Sequence, residues 1–586
     1  MGKPSSRRAD RRKSRKGQDN MYTRRNSRPQ AQRAQNTPPP AEAPTRSSKP
    51  KQATSSESKL GSHLDMEFDQ EDGLSGFRFI DVSLLIEFVS KLLCPTCKRP
   101  MGENKRLSHV SESRSSLASK FEFTCQCQMK QSFWTSAKLT KTYEVNRRFA
   151  VAMFAIGRNQ QQGTRFLGNM NMPASMYKTS WVHHKKAILQ ATERTAEEST
   201  KKAAADLKAA KGDQVTVSCD GTWQRRGFQS KNGVFTLLSA DKQNSKVIDT
   251  VTMSSYCDSC AKNKKKKTPE EFIEWRDHDH IPKGECDKNH DGPAGGMEAA
   301  GALTAFQRSV DQHQLKYVSF LGDGDSKAYA SVSSRNIYPN LEIKKLECCG
   351  HVQKRMGRQL TSKVTELKKT KFPKNGKTVT GIGGKGGLTK KAILAIQGHY
   401  GAAIRNNSGN VKGMKKAIWA IWEHRNKIHD NCGAWCPSKK NPPEDPNRNA
   451  LPQFACEAIK PVFQRLSDDV LLQKCAHGGT QNTNESFHNI IWERCPKTVF
   501  VGRPRLAIAV ADATVAYNDG ELGRLSIFTK LGMPQGFYTI KCFQELDRQR
   551  IRGAGAALDP AERQSRRVVA HRNEQGHHQF YDGGAH

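Results

Sequence analysis

Two apolar runs that each close on an Asp-Gly step constrain this chain more than any other feature. Val215, Val217 and Cys219 alternate ahead of Asp220 and Gly221, and Tyr317, Val318, Phe320 and Leu321 lead into Asp323 and Gly324. Each reads as a short strand presenting a carboxylate. Alone, such an Asp is usually a turn-former or cap. A third acid changes the reading: in Thr480-Gln481-Asn482-Thr483-Asn484-Glu485-Ser486-Phe487, Glu485 falls where a helix begins, ahead of Ile490 and Ile491. Three carboxylates converging at a sheet edge repel one another and stay ionised together only if cations neutralise them. A two-metal site for in-line phosphodiester chemistry has that requirement. The expected chemistry is metal-dependent DNA cleavage and strand transfer. Asp220 would bridge two Mg2+ (or Mn2+) ions, and Asp323 and Glu485 would each complete one shell. Asp325 rivals Asp323, which is preferred because the apolar run ends there between glycines.

The surrounding pattern supplies a fold class. Strands are expected at 214–220, 233–240 and 246–254, with turns at 227–232 and 241–245. A helix follows at 297–313, with Met297, Ala300, Leu303, Phe306 and Val310 on one face. Next come the strand ending at Asp323, a strand at 343–349 and a helix from His351. This is the element order of an α/β, ribonuclease H-like core, a mixed five-stranded sheet with helices, in which the first and fourth strands lie side by side. The stretch from Asp323 to Glu485 is far too long for a loop. Apolar stripes through Ile393 to Ile404, Met414 to Trp422 and Phe454 to Leu466 make it an all-helical insertion.

The expected organisation is a disordered basic tail at 1–70, a zinc-ribbon-like module at 75–140 and a helical DNA-contacting segment at 141–212. The catalytic core then runs over 213–360 with a zinc-binding insertion at 255–292, followed by the helical insertion at 361–475. The core resumes at 476–550 with Glu485, and a disordered tail occupies 551–586. A net charge of +39 calls for a densely anionic partner. No apolar run approaches the roughly 18 residues of a membrane span, and the N-terminus has no signal-like apolar region, so nucleic acid is favoured over a membrane. Basic clusters between Arg7 and Arg25 read either as nuclear import and phosphate contact or as a solvated tail.

The sixteen cysteines fall in clusters with ligand-like spacing, which favours Zn2+ and reduced thiols over disulfides. Cys94 and Cys97, with Cys125 and Cys127, form a four-thiolate set. Cys257 and Cys260, with Cys286 and His290, form a second, for which His278 and His280 compete as fourth ligand. The basic run 262–267 between them suits phosphate. His429, Cys432 and Cys436 belong to a looser set with His424, Cys475, His477 and Cys495, within which Cys475-Ala476-His477 has positioning DNA as its alternative reading. Cys348 and His351 at i, i+3 read as a packed cysteine and a capping histidine. The Gly381–Gly386 and Gly376-Lys377-Thr378 stretches resemble nucleotide loops, but the first follows a lysine-rich stretch instead of a buried strand and the second has Lys371 where glycine is needed. Both read as flexible basic linker.

With these residues assembled, the chain resembles the Mutator-like transposases, and most of all their animal branch. The likeness rests on Ser218 to Trp223, Leu321 to Lys327, Glu347 to Gly357 and Thr480 to Phe487, within roughly residues 140–540. It implies a DDE transposase with a ribonuclease H-like core, a helical insertion before the Glu, and Asp220, Asp323 and Glu485 as the triad. Cys348 and His351 match the family's C/DxxH signature. Cut-and-paste transposition with a divalent metal in a eukaryotic nucleus follows from the resemblance. The partners would be double-stranded DNA, as terminal repeats and target, and further copies of the chain in a homo-oligomer. The alternative is an exapted DNA-binding protein that keeps the fold without activity. A weaker one is an RNA-directed ribonuclease.

Overall fold

The computed structural model describes residues 53–565, apart from 65–74, 103–108, 174–175, 225–229 and 325–326 and the single positions 242, 375, 441, 560 and 563. Asp325 and the basic clusters between Arg7 and Arg25 lie outside the described residues.

The described chain opens with a helix, α1 (Ser55–Leu64), inside the stretch expected to be a disordered tail. Thr54 and Glu57 cap each other reciprocally, Leu60 is buried, and Lys59 Nζ sits 3.8 Å from the Tyr517 ring centroid. One well-placed leucine and a cap suffice to dock a segment that is otherwise polar. After α2 (Val82–Ser90), strands β1 (His109–Ser115), β2 (Ala118–Thr124) and β3 (Lys130–Trp134) form an antiparallel sheet. Its core is small, with Met101, Phe121 and Phe123 packed around Cys94 and Cys125. A core of that size needs a further staple.

Helices α3 (Glu144–Ala155) and α4 (Gln160–Asn169) precede α5 (Lys178–Lys211), which ends at Gly212 with φ 81°. A residue with a Cβ is disfavoured there, so the glycine stops the helix and releases the chain into the sheet. Strands β4 (Gln214–Trp223), β5 (Asn232–Ser239) and β6 (Val247–Ser254) pair antiparallel. Then come α6 (Asp258–Asn263), α7 (Pro269–Trp275), a π turn at Arg276–His280, α8 (Ala294–Gln307) and α9 (Ser309–His313). The single helix expected over 297–313 thus breaks at Arg308, whose guanidinium is drawn to Asp249 on β6. Strand β7 (Lys316–Gly322) lies parallel to β4, α10 (Lys327–Ser333) follows, and β8 (Lys344–Glu347) lies parallel to β7. The five-stranded sheet has the order β6-β5-β4-β7-β8, so the first and fourth strands are neighbours.

Every residue of β5 is buried because both sheet faces are covered. Phe235 and Leu237 pack with Met297 and Phe306 of α8 on one face. Val234 and Leu238 point the other way, against helices near the C-terminus. The strand alternation places these two sets on opposite sides.

From α11 (Cys349–Glu366) the chain turns helical, interrupted by a small hairpin of β9 (Lys371–Lys374) and β10 (Lys377–Thr380). The glycine-rich stretch expected to be a flexible linker is therefore partly this hairpin, and buried Ile382 and Leu388 anchor the turn after it. Helices α12 (Lys390–Asn406), α13 (Val411–Arg425), α14 (Gln453–Leu466) and α15 (Asp469–Cys475) share one apolar core with α11. Helix α16 (Asn482–Arg494) returns to pack on β4 and β5, with Phe487 and Ile491 against Val234 and Leu238. Helix α17 (Arg503–Gly523) runs along α5, followed by α18 (Leu525–Lys530) and α19 (Phe537–Leu558). Helix α19 continues into the expected C-terminal tail as far as Leu558, while residues 566–586 lie outside the described ones.

Candidate active site

The three carboxylates singled out from the sequence sit on three elements in contact: β4, the exit of β7 and the first turns of α16. Asp220 lies within β4 and not at its end, because the strand continues to Trp223 against β5. Pairing of Ser218 with Leu321 sets the register, so Asp220 within β4 and Asp323 just past the end of β7 stand at matching levels on adjacent parallel strands.

Another carboxylate joins Asp220 and Asp323, and it is not Glu485. Helix α8 carries a single charged residue, Glu298, in an otherwise uncharged sequence. Its side chain lies over Gly221, where an added Cβ would come within 2.9 Å of Glu298 Cγ. The glycine after Asp220 thus serves close approach and not a turn. Burial first, and then Glu298 and Asp323, push the Asp220 carboxyl up to about 7. Burial and Asp323 also raise Glu298. His351 offsets only part of the rise at Asp220, and Lys345 only part of that at Glu298. The periodicity of that helix reports only its apolar face, although an isolated acid in an alanine- and glycine-rich helix is itself a signal.

Asp323 is treated differently. His351 Nδ1 lies 2.6 Å from its Oδ1, and this hydrogen bond holds the carboxyl below its usual range. Asp323 and the Cys348 sulfur together raise His351 to about 10, so it is an imidazolium at neutral pH. Cys348 caps α11, which places His351 one turn into the helix, beside the exit of β7.

Gln481, at the start of α16, binds these pieces together. Its Oε1 accepts from His351 Nδ1 at 3.0 Å, its Nε2 donates to the Cys219 carbonyl at 2.6 Å, and its backbone N–H donates to Cys348 Sγ at 3.3 Å. Asn484 adds bonds to Ser218 and Thr236, and His488 Nδ1 lies 3.7 Å from Asp220 Oδ2. Burial lowers His488 to about 3, so this ring is neutral. Helix α16 is thereby locked onto β4 over two turns. Glu485 lies between Asn484 and His488, half-exposed, with Lys354 Nζ of α11 at 4.0 Å. Gln481, Asn484 and His488 were not singled out from the sequence; amides and neutral histidines become informative only once their partners across the fold are known.

Among the described residues, three groups of cysteine and histidine side chains can hold a metal. Cys94, Cys97, Cys125 and Cys127 converge within 4.8 Å of one another, the first pair after α2 and the second in the β2–β3 turn. Cys257, Cys260 and Cys286 converge likewise, but the fourth member is His280 and not His290. His280 is delivered by the π turn, stacks on Trp275 at 4.5 Å, and brings Nε2 to 3.3 Å from Cys257 Sγ. His290 instead packs beside Gly292 and Gly296 at the start of α8. The thiolate and imidazole donors of both groups suit Zn2+. His429, Cys432 and Cys436 meet with His424 in a third group, while Cys475 and Cys495 are separately buried. His477 is tied to the backbone around it: its Nε2 is 3.1 Å from the Glu347 carbonyl, and its Nδ1 accepts from Gly479 N–H at 2.8 Å.

The family comparison covers the heart of this arrangement. The Mutator-like transposase family matches residues 76–436, more than half of the chain, and the protein belongs to that family. The matched residues include Asp220, Asp323, Cys348 and His351, whereas Glu485 lies beyond them. Membership defines a nucleic-acid-acting enzyme class and implies DNA binding. No curated protein matches the chain. No described helix is long and apolar enough to cross a membrane.

Proposed function

We propose that the protein is a DDE transposase that cleaves DNA at the ends of a transposable element and joins the freed 3′ end to a target, with a ribonuclease H-like core built on β4 to β8. The observation that carries the reading is the carboxylate crowd at Asp220, whose carboxyl stays raised because burial, Glu298 and Asp323 outweigh the one opposing side-chain charge acting on it, His351. Hard oxygen donors in that state fit Mg2+ or Mn2+. Bound there, divalent ions would activate the attacking water or 3′-hydroxyl and stabilise the leaving oxygen. Asp220, Asp323 and Glu485 would hold them, and Glu298 extends the donor set.

The remaining residues set positions. His351 fixes one oxygen of Asp323, and Gln481 ties that histidine to the strand of Asp220 and the helix of Glu485. Lys354 beside Glu485, and the exposed run 262–267, offer cations to DNA phosphates. The same reading places the chain in a nucleus as a homo-oligomer holding two element ends. The test is cleavage and strand transfer on a duplex carrying the element's own ends, with Mg2+ or Mn2+. Loss in Asp220→Asn, Asp323→Asn and Glu485→Gln supports the assignment; activity surviving in all three overturns it. Salt-sensitive binding of those ends by an inert wild-type chain would favour an exapted binding protein.

A further inference from the structure

The connection from α13 to α14, residues 426–452, is long and almost devoid of regular structure, with 3-10 turns only at Pro437–Lys439 and Pro446–Asn449 among its described residues. Connections of that length inside a packed region need something to hold them. Apolar side chains are scarce here. What gathers instead is His424 in the last turn of α13, His429 just beyond it, and Cys432 and Cys436 on two successive turns. His424, Cys432 and Cys436 are 3%, 4% and 0% exposed.

We propose that His424, His429, Cys432 and Cys436 form a closed, structural Zn2+ site that folds this connection. The two Nδ1 atoms are 3.1 Å apart. Cys432 Sγ lies 3.5 and 3.8 Å from the Nδ1 atoms of His424 and His429, and Cys436 Sγ lies 3.7 and 3.9 Å from them. A tetrahedron built from the usual Zn–N and Zn–S bond lengths has N–N edges of about 3.3 Å and N–S edges of about 3.6 Å. The observed edges match both.

The surroundings orient the ligands. His429 Nε2 lies 3.1 Å from Asn447 Oδ1, so this nitrogen carries the proton and Nδ1 keeps its lone pair for the metal. Cys436 Sγ is 3.1 Å from Ser438 Oγ, a donor that steadies a thiolate. Trp435 is held between His424 at 4.9 Å and His399 of α12 at 4.5 Å, so the ion would also fix the connection against a second helix. Two thiolates and two imidazoles select a soft, tetrahedral cation over the hard ions expected at the carboxylates. With four protein donors no position remains for substrate, which makes the role structural.

The experiment measures zinc per chain in the full-length protein and in the double variant Cys432→Ser, Cys436→Ser. Loss of one ion per chain, with the other ions retained, is the expected result; equal zinc content in folded variant and wild type overturns the proposal. Should the variant fail to fold, the wild type is titrated with a chelator while its thiols are alkylated and mapped. Cys432 and Cys436 should become reactive together, in step with release of one ion. Their alkylation without zinc release overturns the site.

Discussion

The two ends of α16 carry charged clusters that handle buried carboxylates in opposite ways. At its C-terminal end Asp512 takes Arg494 Nε at 2.5 Å and Arg524 Nε at 2.7 Å, and Glu521 takes the outer nitrogens of the same two arginines at 2.7 and 2.6 Å. Burial pushes Asp512 up, yet Arg524 and Arg494 more than offset it and hold the carboxyl below its usual range. At the N-terminal end burial pushes Asp220 in the same direction, but Glu298 and Asp323 add to it, His351 offsets only part, and the shift is upward, to about 7. One cluster is closed by its own counter-charges. The other is open, and only something from solution completes it. Burial of an acid therefore says little about function until the sign of its neighbours is known.

The largest consequence concerns activity. Asp220→Asn should lower end cleavage at least about a thousandfold, roughly 4 kcal/mol of transition-state stabilisation, while the chain stays folded. Single-turnover cleavage alongside circular dichroism measures both. Near-normal cleavage would mean that the open cluster is not where chemistry occurs.

The closed cluster should fail in the other currency. Arg524→Met leaves buried Asp512 and part-buried Glu521 with half the counter-charge of that network, and breaking a buried pair costs about 3–5 kcal/mol. Urea unfolding reads this directly. A loss below about 1 kcal/mol would show that solvent reaches the network and that the contrast between the two ends is false.

A smaller effect appears in the pH dependence of stability. Asp220 is raised in the folded chain, so between roughly pH 4 and 7 the folded state keeps a proton that the unfolded state has released. Its contribution is thus an increasing destabilisation as pH rises through that window. Asp512, depressed by its arginines, contributes stability above its unfolded pKa and loses it as pH falls through the folded one. In chelator, Asp220→Asn should gain about 1–2 kcal/mol on the wild type between pH 4 and 8, and Mg2+ should shrink that gain. A difference that stays flat with pH would remove the electrostatic argument for a cation.

Much of this was legible before any coordinates. Apolar alternation ahead of Asp220 and Asp323 is local, and so are the Cys-x-x-Cys pairs, so the strands and the first thiol group follow from spacing. What escaped depends on contacts distant in sequence. His280 displaces His290 because a π turn, invisible in composition, swings it beneath Cys257. Glu298 reads as one more surface acid until α8 is laid across Gly221. Leu60 lies in the stretch expected to be a disordered tail, yet one buried leucine and a cap dock α1. Periodicity reports which face a residue occupies and is silent on which element covers it.

The finest discrimination lies at Gln481, which belongs to the open cluster without carrying charge. Substituting Gln481→Met keeps its bulk and its backbone bond to Cys348, but removes the acceptor for His351 and the donor to the Cys219 carbonyl. If Gln481 only fills space, cleavage and its Mg2+ dependence should be unchanged. If it sets the spacing of the carboxylates, cleavage should fall about tenfold, near 1.4 kcal/mol, and the Mg2+ needed for half-maximal rate should rise several-fold. Stability should fall by about 1–3 kcal/mol, since Gln481 is buried and its bond to the Cys219 carbonyl is lost from the interior. A variant that loses stability and activity together, with the Mg2+ requirement unmoved, would make Gln481 a structural staple and leave His351 alone as the residue that aims Asp323.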